Sequence, residues 1–393
     1  MTSTAALAPA PDSPPAERAG TPTPVTGIVE LLGNRAFLRP ADFVATAHDP
    51  QLPPGQVRRH GLRTGDLVQG LLDAPATGGR RDRTRSLARL DLVNGVEPEL
   101  LARRPHFAEL TPVHPDRRLR LEGAPDQLTT RVIDLFTPVG KGQRGLIVAP
   151  PKTGKTMVLQ ALAAAITDNH PECHLMLLLL DERPEEVTAL ARAVHGEVVA
   201  SPFDRPAKEH TVIAALAVER AKRLVELGRD VVILLDSLTR LCRAHNHTAS
   251  GTGRILSGGI DAGALHPPKR LFGAARAVEG GGSLTILATA LVDTGSRADD
   301  FFFEELKSTG NMELRLDRGL ADRRVYPAVD LETSGTRREE LLLPPAELAV
   351  IRRLRHTLVE RESRHGVEPL LDRMRRTRDN TELLRTLAAT LPA

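Results

Sequence analysis

From residue 26 the chain carries short apolar runs separated by turn residues: 28–32, 36–38, 66–72 after the turn Arg63-Thr64-Gly65, and 87–93. Runs of that length and spacing predict a small β-barrel or sandwich. Further on, the runs at 145–149, 175–180, 231–235 and 284–292 are apolar on both faces, and helical patterns fall between them, the first from about Lys155. Strands apolar on both faces are parallel strands covered by helices, so the larger part of the chain is predicted to be α/β. The expected organisation is a tail at 1–24, a barrel at 25–100, a connector at 101–128 rich in Arg and Pro, and the α/β domain at 129–393.

Composition sharpens this division. The first 24 residues are mostly Pro, Ala, Thr and Ser, too poor in apolar surface to offset their ordering entropy, and are expected to be disordered. Across 393 residues, 41% hydrophobic and 26% charged is ordinary globular composition. Only two cysteines, Cys173 and Cys242, are present, which excludes a disulfide framework and a four-cysteine zinc site and points to a reducing cytoplasm. No apolar run approaches the roughly 18–20 residues a membrane helix needs, so no membrane association is expected. Aromatics make up 3%, with no Trp and one Tyr, while Arg80, Arg81, Arg83 and Arg85 form a basic loop in the barrel region.

The chemistry begins at Ala149-Pro150-Pro151-Lys152-Thr153-Gly154-Lys155-Thr156, which follows an apolar strand and opens a helix at Met157. That is the context of a phosphate-binding loop, although Ala149 stands where the strict pattern asks for Gly. Gly154 lets backbone approach phosphate oxygens, Lys155 reaches the β and γ phosphates of ATP, and the Thr156 hydroxyl is a Mg2+ ligand. Asp236 ends the run 231–235 and fits the second Mg2+ ligand. Ser237 follows it where many such hydrolases place a catalytic Glu, so the base is expected at Glu182, after the run 175–180. The carboxyl ends of parallel strands share one crevice, where Glu182, Asp236 and Lys155 can meet. Phosphate loop, strand with Glu, strand with Asp is a RecA-like order.

Carried on those residues, the chain resembles the Rho family of bacterial transcription termination factors, which are hexameric RNA-dependent ATPases and helicases. The segments are GKGQRGLIVAPPKTGKT (140–156), LLDERPEEVT (179–188), GEVVASPFD (196–204), VVILLDSLTRL (231–241), GGIDAGALHPPKR (258–270), FGAAR (272–276), TGNMEL (309–314) and SGTRREELLL (334–343). The resemblance implies that Glu182 polarises the attacking water, that Arg183 contacts nucleotide, and that Arg337 is an arginine finger on a neighbouring subunit's γ-phosphate. It implies a second phosphate-sensing Arg324, adenine stacking by Tyr326, and further nucleotide contacts from Gly140, Lys141, Gly142, Gln143, Arg144, Gly145, Lys152, Thr153 and Met157.

By the same resemblance the barrel is an OB-type site for single-stranded RNA, with Phe37, Arg35, Arg39 and Arg85 as contacts. Loops 251–259 and 293–300 line a ring's pore, with Arg254, Ile255, Gly258, Gly259 and Arg297 on RNA. Departures accompany these. Arg35, Gln51 and Ser86 stand where relatives carry aromatics, and the helical bundle that commonly precedes the barrel is replaced by the tail. RNA binding is therefore expected to be electrostatic and salt-sensitive, with weak pyrimidine preference. The expected function is an ATP-dependent RNA translocase that forms a homohexamer and acts on RNA polymerase elongation complexes. The alternative is an RNA-binding regulatory paralogue of a full-length Rho; the intact set Lys155, Glu182, Asp236 and Arg337 argues against it. A rotary-motor or secretion ATPase is disfavoured by the basic loop and by the segments at 181–187 and 334–337.

Overall fold

The computed structural model describes residues 22–73, 85–249, 251, 254–360 and 367–390. Most of the expected tail, and Arg80, Arg81 and Arg83 of the basic loop, lie outside the described residues. Strand β1 (Thr23–Leu32) hairpins into β2 (Arg35–Arg39), followed by β3 (Gln51–Leu52), helix α1 (Pro54–His60), β4 (Leu67–Leu72) and β5 (Leu87–Val93). They form an antiparallel sheet in the order β3-β2-β1-β4-β5. Thr23 and Pro24, assigned to the tail by composition, are paired with Leu72 and Leu71, because the ladder to β4 runs the full length of β1. The Gln51 amide donates to the Arg85 carbonyl at 2.9 Å, bringing β3 beside the start of β5 and closing the sheet toward a barrel. Inside lie Val29, Leu38, Leu52, Val68, Leu87 and Val93, the inward positions of alternating strands.

The connector is more than a linker. It holds the short strands β6 (Pro112–Val113) and β7 (Arg118–Leu119), and its Phe107, Leu119 and Leu121 are buried in the cores of the next domain. Clustered Arg and Pro concealed these apolar anchors, which are spaced too widely to form a run.

The α/β domain opens with α2 (Leu128–Phe136), β8 (Val139–Gly140), β9 (Arg144–Ala149), α3 (Lys155–Asn169) and β10 (His174–Leu180). It continues through α4 (Pro184–Ala193), β11 (Glu197–Ser201), α5 (Ala207–Val225), β12 (Asp230–Asp236) and α6 (Leu238–Thr248). A small hairpin, β13 (Ile255–Leu256) and β14 (Ile260–Asp261), precedes α7 (His266–Phe272), β15 (Arg276–Val278) and β16 (Ser283–Leu291). Then come α8 (Arg297–Lys307), β17 (Met312–Arg315), α9 (Arg318–Asp322), β18 (Gly335–Thr336), and α10 (Pro345–Glu360), α11 (Val367–Arg375) and α12 (Asn380–Thr390).

The main sheet runs β11-β10-β12-β16-β9-β17-β18, parallel from β11 to β17, with β15 and β6 added antiparallel beside β16. One strand, β16, separates β9 from β12. The sheet has a core on each face, one under α3 and the C-terminal helices, the other under α5, α6 and α8. Because the strands are parallel, every residue that ends one of them emerges along the same edge.

The barrel is fixed to this domain through α5. Gly65 lies so close to the backbone of Glu219 and Arg220 that a Cβ there would be 2.4 Å from the Glu219 carbonyl carbon. Around it Arg104 bridges Asp66 at 2.5 Å, Arg63 pairs with Glu226 at 2.9 Å, and Arg220 donates to Asn94 at 2.6 Å.

Candidate functional site

The loop between β9 and α3 is shaped by its own chemistry. The Thr153 hydroxyl donates to the Pro150 carbonyl at 2.7 Å, Lys152 takes φ 68°, and Gly154 takes φ 90° immediately before α3. With Lys155 as its first residue, α3 presents its unpaired N–H groups and positive dipole end to the crevice, an arrangement suited to phosphate.

Lys155, Glu182 and Asp236 meet there. Lys155 Nζ donates to Glu182 Oε1 and to Asp236 Oδ1, each at 2.7 Å, and the two carboxylates are 2% and 1% exposed. Asp236 Oδ1 also accepts from the Thr289 hydroxyl on β16 at 2.8 Å, and Arg240 Nη2 stands 3.5 Å from Glu182 Oε2. Burial, with the Asp236 charge beside it, pushes the Glu182 carboxyl up to about 7 against the pull of Lys155. A carboxyl held near neutrality is suited to proton transfer from water.

Sequence reasoning missed Arg240 and Thr289. Thr289 was visible as a hydroxyl in an otherwise apolar run, and Arg240 as a cation one helical turn beyond Asp236.

Around this centre Thr156 is half-buried as the second residue of α3, and Met157 is 56% exposed. The Tyr326 ring lies 3.4 Å from the position a Cβ on Gly154 would take, so the lone Tyr does border the loop. Arg183 is exposed just before α4, with Glu186 3.6 Å away. Arg324, in the left-handed region at φ 61°, is exposed two residues before Tyr326.

Within one chain the segment 140–145 is not brought to this centre: Gly140, Lys141, Gly142, Gln143, Arg144 and Gly145 lie toward the opposite edge, which also carries Arg337. The segment lies at the start of β9, whose six residues separate it from the phosphate loop by about 17 Å. Lys141 Nζ is held by Asp230 at 2.7 Å and Glu172 at 2.9 Å, on segments that enter the sheet rather than leave it. Gln143 donates to Asn311 Oδ1 at 2.6 Å, and the Arg337 amide donates to the Asn311 carbonyl at 2.9 Å. Arg337 thus stands on the same far edge, exposed beside a cavity of about 530 Å³ that Lys307, Glu313 and Arg315 also line. Within one chain Arg337 does not reach Lys155.

The nucleic-acid candidates divide in two. In the barrel, Arg35 and Arg39 lie over the Phe37 ring, at 5.5 and 5.0 Å from its centroid. Arg39 is only 6% exposed and is held by Glu30 at 2.5 Å and by Asp49, so its charge is already neutralised. Arg85 donates to the Asp73 carbonyl at 2.9 Å and to the Thr23 hydroxyl at 2.8 Å. Arg39 is corrected from a phosphate contact to a structural tie, whereas Arg85, half-buried and tied to a carbonyl and a hydroxyl, keeps a charge uncompensated among the described residues, in the same barrel as Phe37 and the exposed Arg35. In the other group, Ile255 is 64% exposed beside exposed Arg254, and Gly258 and Gly259 have φ 77° and 76°. Gly258 lies against the Arg297–Ala298 backbone, a Cβ there falling 2.9 Å from the Ala298 nitrogen. The two glycine-rich loops are therefore neighbours, and Arg297 is exposed at the start of α8.

Fold and site together define a P-loop nucleotide-binding domain of the RecA-like class, preceded by an antiparallel OB-type barrel. The ATP synthase alpha/beta family nucleotide-binding domain matches residues 129–336, and the Rho termination factor RNA-binding domain matches 25–99. A transcription termination factor Rho of Streptomyces coelicolor is 61% identical over 369 residues, 94% of this chain and 86% of that protein. The same-named protein of Streptomyces lividans is 58% identical over 369 residues, and this chain spans 52% of its length. The chain belongs to the Rho family of transcription termination factors. A type III secretion ATPase, 19% identical with a TM-score of 0.60 over 81% of this chain and 94% of its own, shares the fold.

Proposed function

We propose that the chain is an ATP-driven translocase of single-stranded RNA, working as a homohexameric ring in the cytoplasm to terminate transcription by RNA polymerase. One observation carries the reading. Lys155, Glu182 and Asp236 converge at one edge of the sheet while Arg337 stands at the opposite edge, so a complete site needs a second copy. A neighbour's Arg337 on the γ-phosphate contributes on the order of 10³–10⁵ in rate to enzymes built this way. ATP phosphates draw Lys155 away from its two carboxylates, which frees Glu182 to orient and deprotonate the attacking water. Thr156 and Asp236 would hold Mg2+, which would neutralise phosphate charge; a hydroxyl and a carboxylate are hard oxygen donors that suit it. Tyr326 packs the adenine, and Arg183 and Arg324 bind phosphate at the rim.

The barrel at 25–100 captures RNA on Phe37 and Arg35, and the neighbouring loops at 251–259 and 293–300 carry it through the ring with Arg254 and Arg297. The decisive experiment is steady-state ATP hydrolysis without polymer, with single-stranded RNA and with single-stranded DNA. Stimulation by RNA alone supports the reading. Tight RNA binding without stimulation overturns it in favour of a regulatory RNA-binding protein.

A further inference from the structure

A cavity of about 320 Å³ between α5, α6 and α7 is used by none of the roles above. Lys222, His245, His266 and Arg270 line it over an apolar floor that includes Val218 and Leu271. Lys222 is neutralised by Glu219, which also lines the cavity, at 2.6 Å; among the described residues exposed Arg270 has no carboxylate partner.

Its position matters as much as its lining. At one end, Glu219 and Arg220 form the backbone against which Gly65 of the barrel rests. At the other, His245 precedes Asn246, whose side chain donates to the Gly259 carbonyl at 3.3 Å and accepts from the Asp261 amide at 2.8 Å, holding the root of the β13–β14 hairpin. The cavity therefore adjoins the barrel's joint with α5 at one end and the root of the β13–β14 hairpin at the other, and the inference rests on the RNA roles proposed for barrel and hairpin.

The chemistry suits the same ligand. Imidazole faces stack bases and an unpaired guanidinium takes phosphate, in a chain that has no Trp and a single Tyr. Burial lowers the His245 pKa, favouring a neutral stacking ring. We propose that this cleft holds one nucleotide of single-stranded RNA on its way from the barrel to the pore hairpin, with its phosphate on Arg270 and its base against His245 and His266.

The test is RNA affinity as a function of salt for the full chain, with cross-linking from a thiouridine-containing single strand. Arg270→Gln, an exposed change on α7, should lower the slope of log affinity against log salt by about 0.7, one phosphate's worth on single strands. His245→Ala should weaken binding about tenfold, within the range for one lost stack, and His245→Phe should restore it. Cross-links should map to 241–249 or 266–272. If the wild type binds RNA yet slope, affinity and cross-links ignore these changes, the cleft is off the path and the inference fails alone. Capture of an acidic peptide there with RNA binding unaltered would also overturn it. A wild type that binds no RNA overturns both this inference and the function on which it rests.

Discussion

Lys155 Nζ lies 2.7 Å from Glu182 Oε1 and 2.7 Å from Asp236 Oδ1, so one ammonium is shared by two buried carboxylates and only partly offsets their repulsion. Under the proposed function, the lysine that binds phosphate is also the group that holds the base until phosphate arrives. Glu182→Gln preserves the shape and removes the base. It should retain ATP binding in a fluorescent-nucleotide titration and lose about 10²–10⁴ in turnover, the usual worth of a positioned base. Turnover within a few-fold of the wild type would assign the base elsewhere.

The raised Glu182 pKa has opposite consequences for activity and stability. The ionised carboxylate is the active form, so kcat/KM for ATP should rise with pH through about 7, an acid limb that Glu182→Gln lacks. For stability, an acid whose pKa is higher folded than unfolded favours the fold most below its ordinary carboxylate value. That contribution declines as pH rises to about 7. Thermal unfolding should accordingly show the wild type losing stability relative to Glu182→Gln over that window. A flat difference would mean that Glu182 is already ionised in the free protein.

Arg337 occupies the edge opposite Lys155, so under the proposed function its effect crosses between chains. Arg337→Ala protein mixed into wild-type protein should depress ATP hydrolysis more than dilution requires, because each variant silences a neighbour with an intact phosphate loop. Loss in simple proportion to the variant fraction would mean Arg337 serves only its own chain.

How much of this was readable follows from how each feature is encoded. The parallel strands and their terminal acids were legible because an apolar run ending in Asp or Glu marks both a buried strand and the edge where it emerges. Glu182 and Asp236 came from that pattern, and the barrel from its short alternating runs. The resemblance alone offered residues 140–145 as nucleotide contacts; they sit at the start of the strand that the phosphate loop follows, so within one chain that strand separates them from it. Arg39 was read as a free cation because charge in a sequence does not disclose partners such as Glu30 and Asp49.

Arg39 illustrates the difference between a cation that binds RNA and one that holds the barrel. Removing it leaves Glu30 and Asp49 partly or fully buried without their partner, which typically costs about 3–5 kcal/mol. Arg39→Ala should lower the denaturation midpoint markedly, while in the folded protein the salt slope of RNA binding stays near the wild-type value. Arg35→Ala should do the reverse, leaving stability nearly intact and reducing the slope by about 0.7. A large slope change in Arg39→Ala with unaltered stability would return Arg39 to the RNA surface.

Gly65 tests whether the barrel and the ATPase domain act as one unit. Its φ is 94°, a region L side chains rarely adopt, and a Cβ would lie 2.4–2.6 Å from backbone atoms of Glu219 and Arg220, which cannot move aside without bending α5. Gly65→Ala must push the barrel off the helix. That shift breaks the contacts of Arg63 and Arg104 with Glu226 and of Arg220 with Asn94, leaving buried charges unpaired. The ATPase residues are untouched, so hydrolysis without RNA should survive better than its stimulation by RNA. Calorimetry should resolve one unfolding transition into two. A single cooperative transition with full RNA stimulation in Gly65→Ala would show that the joint on α5 carries neither stability nor coupling.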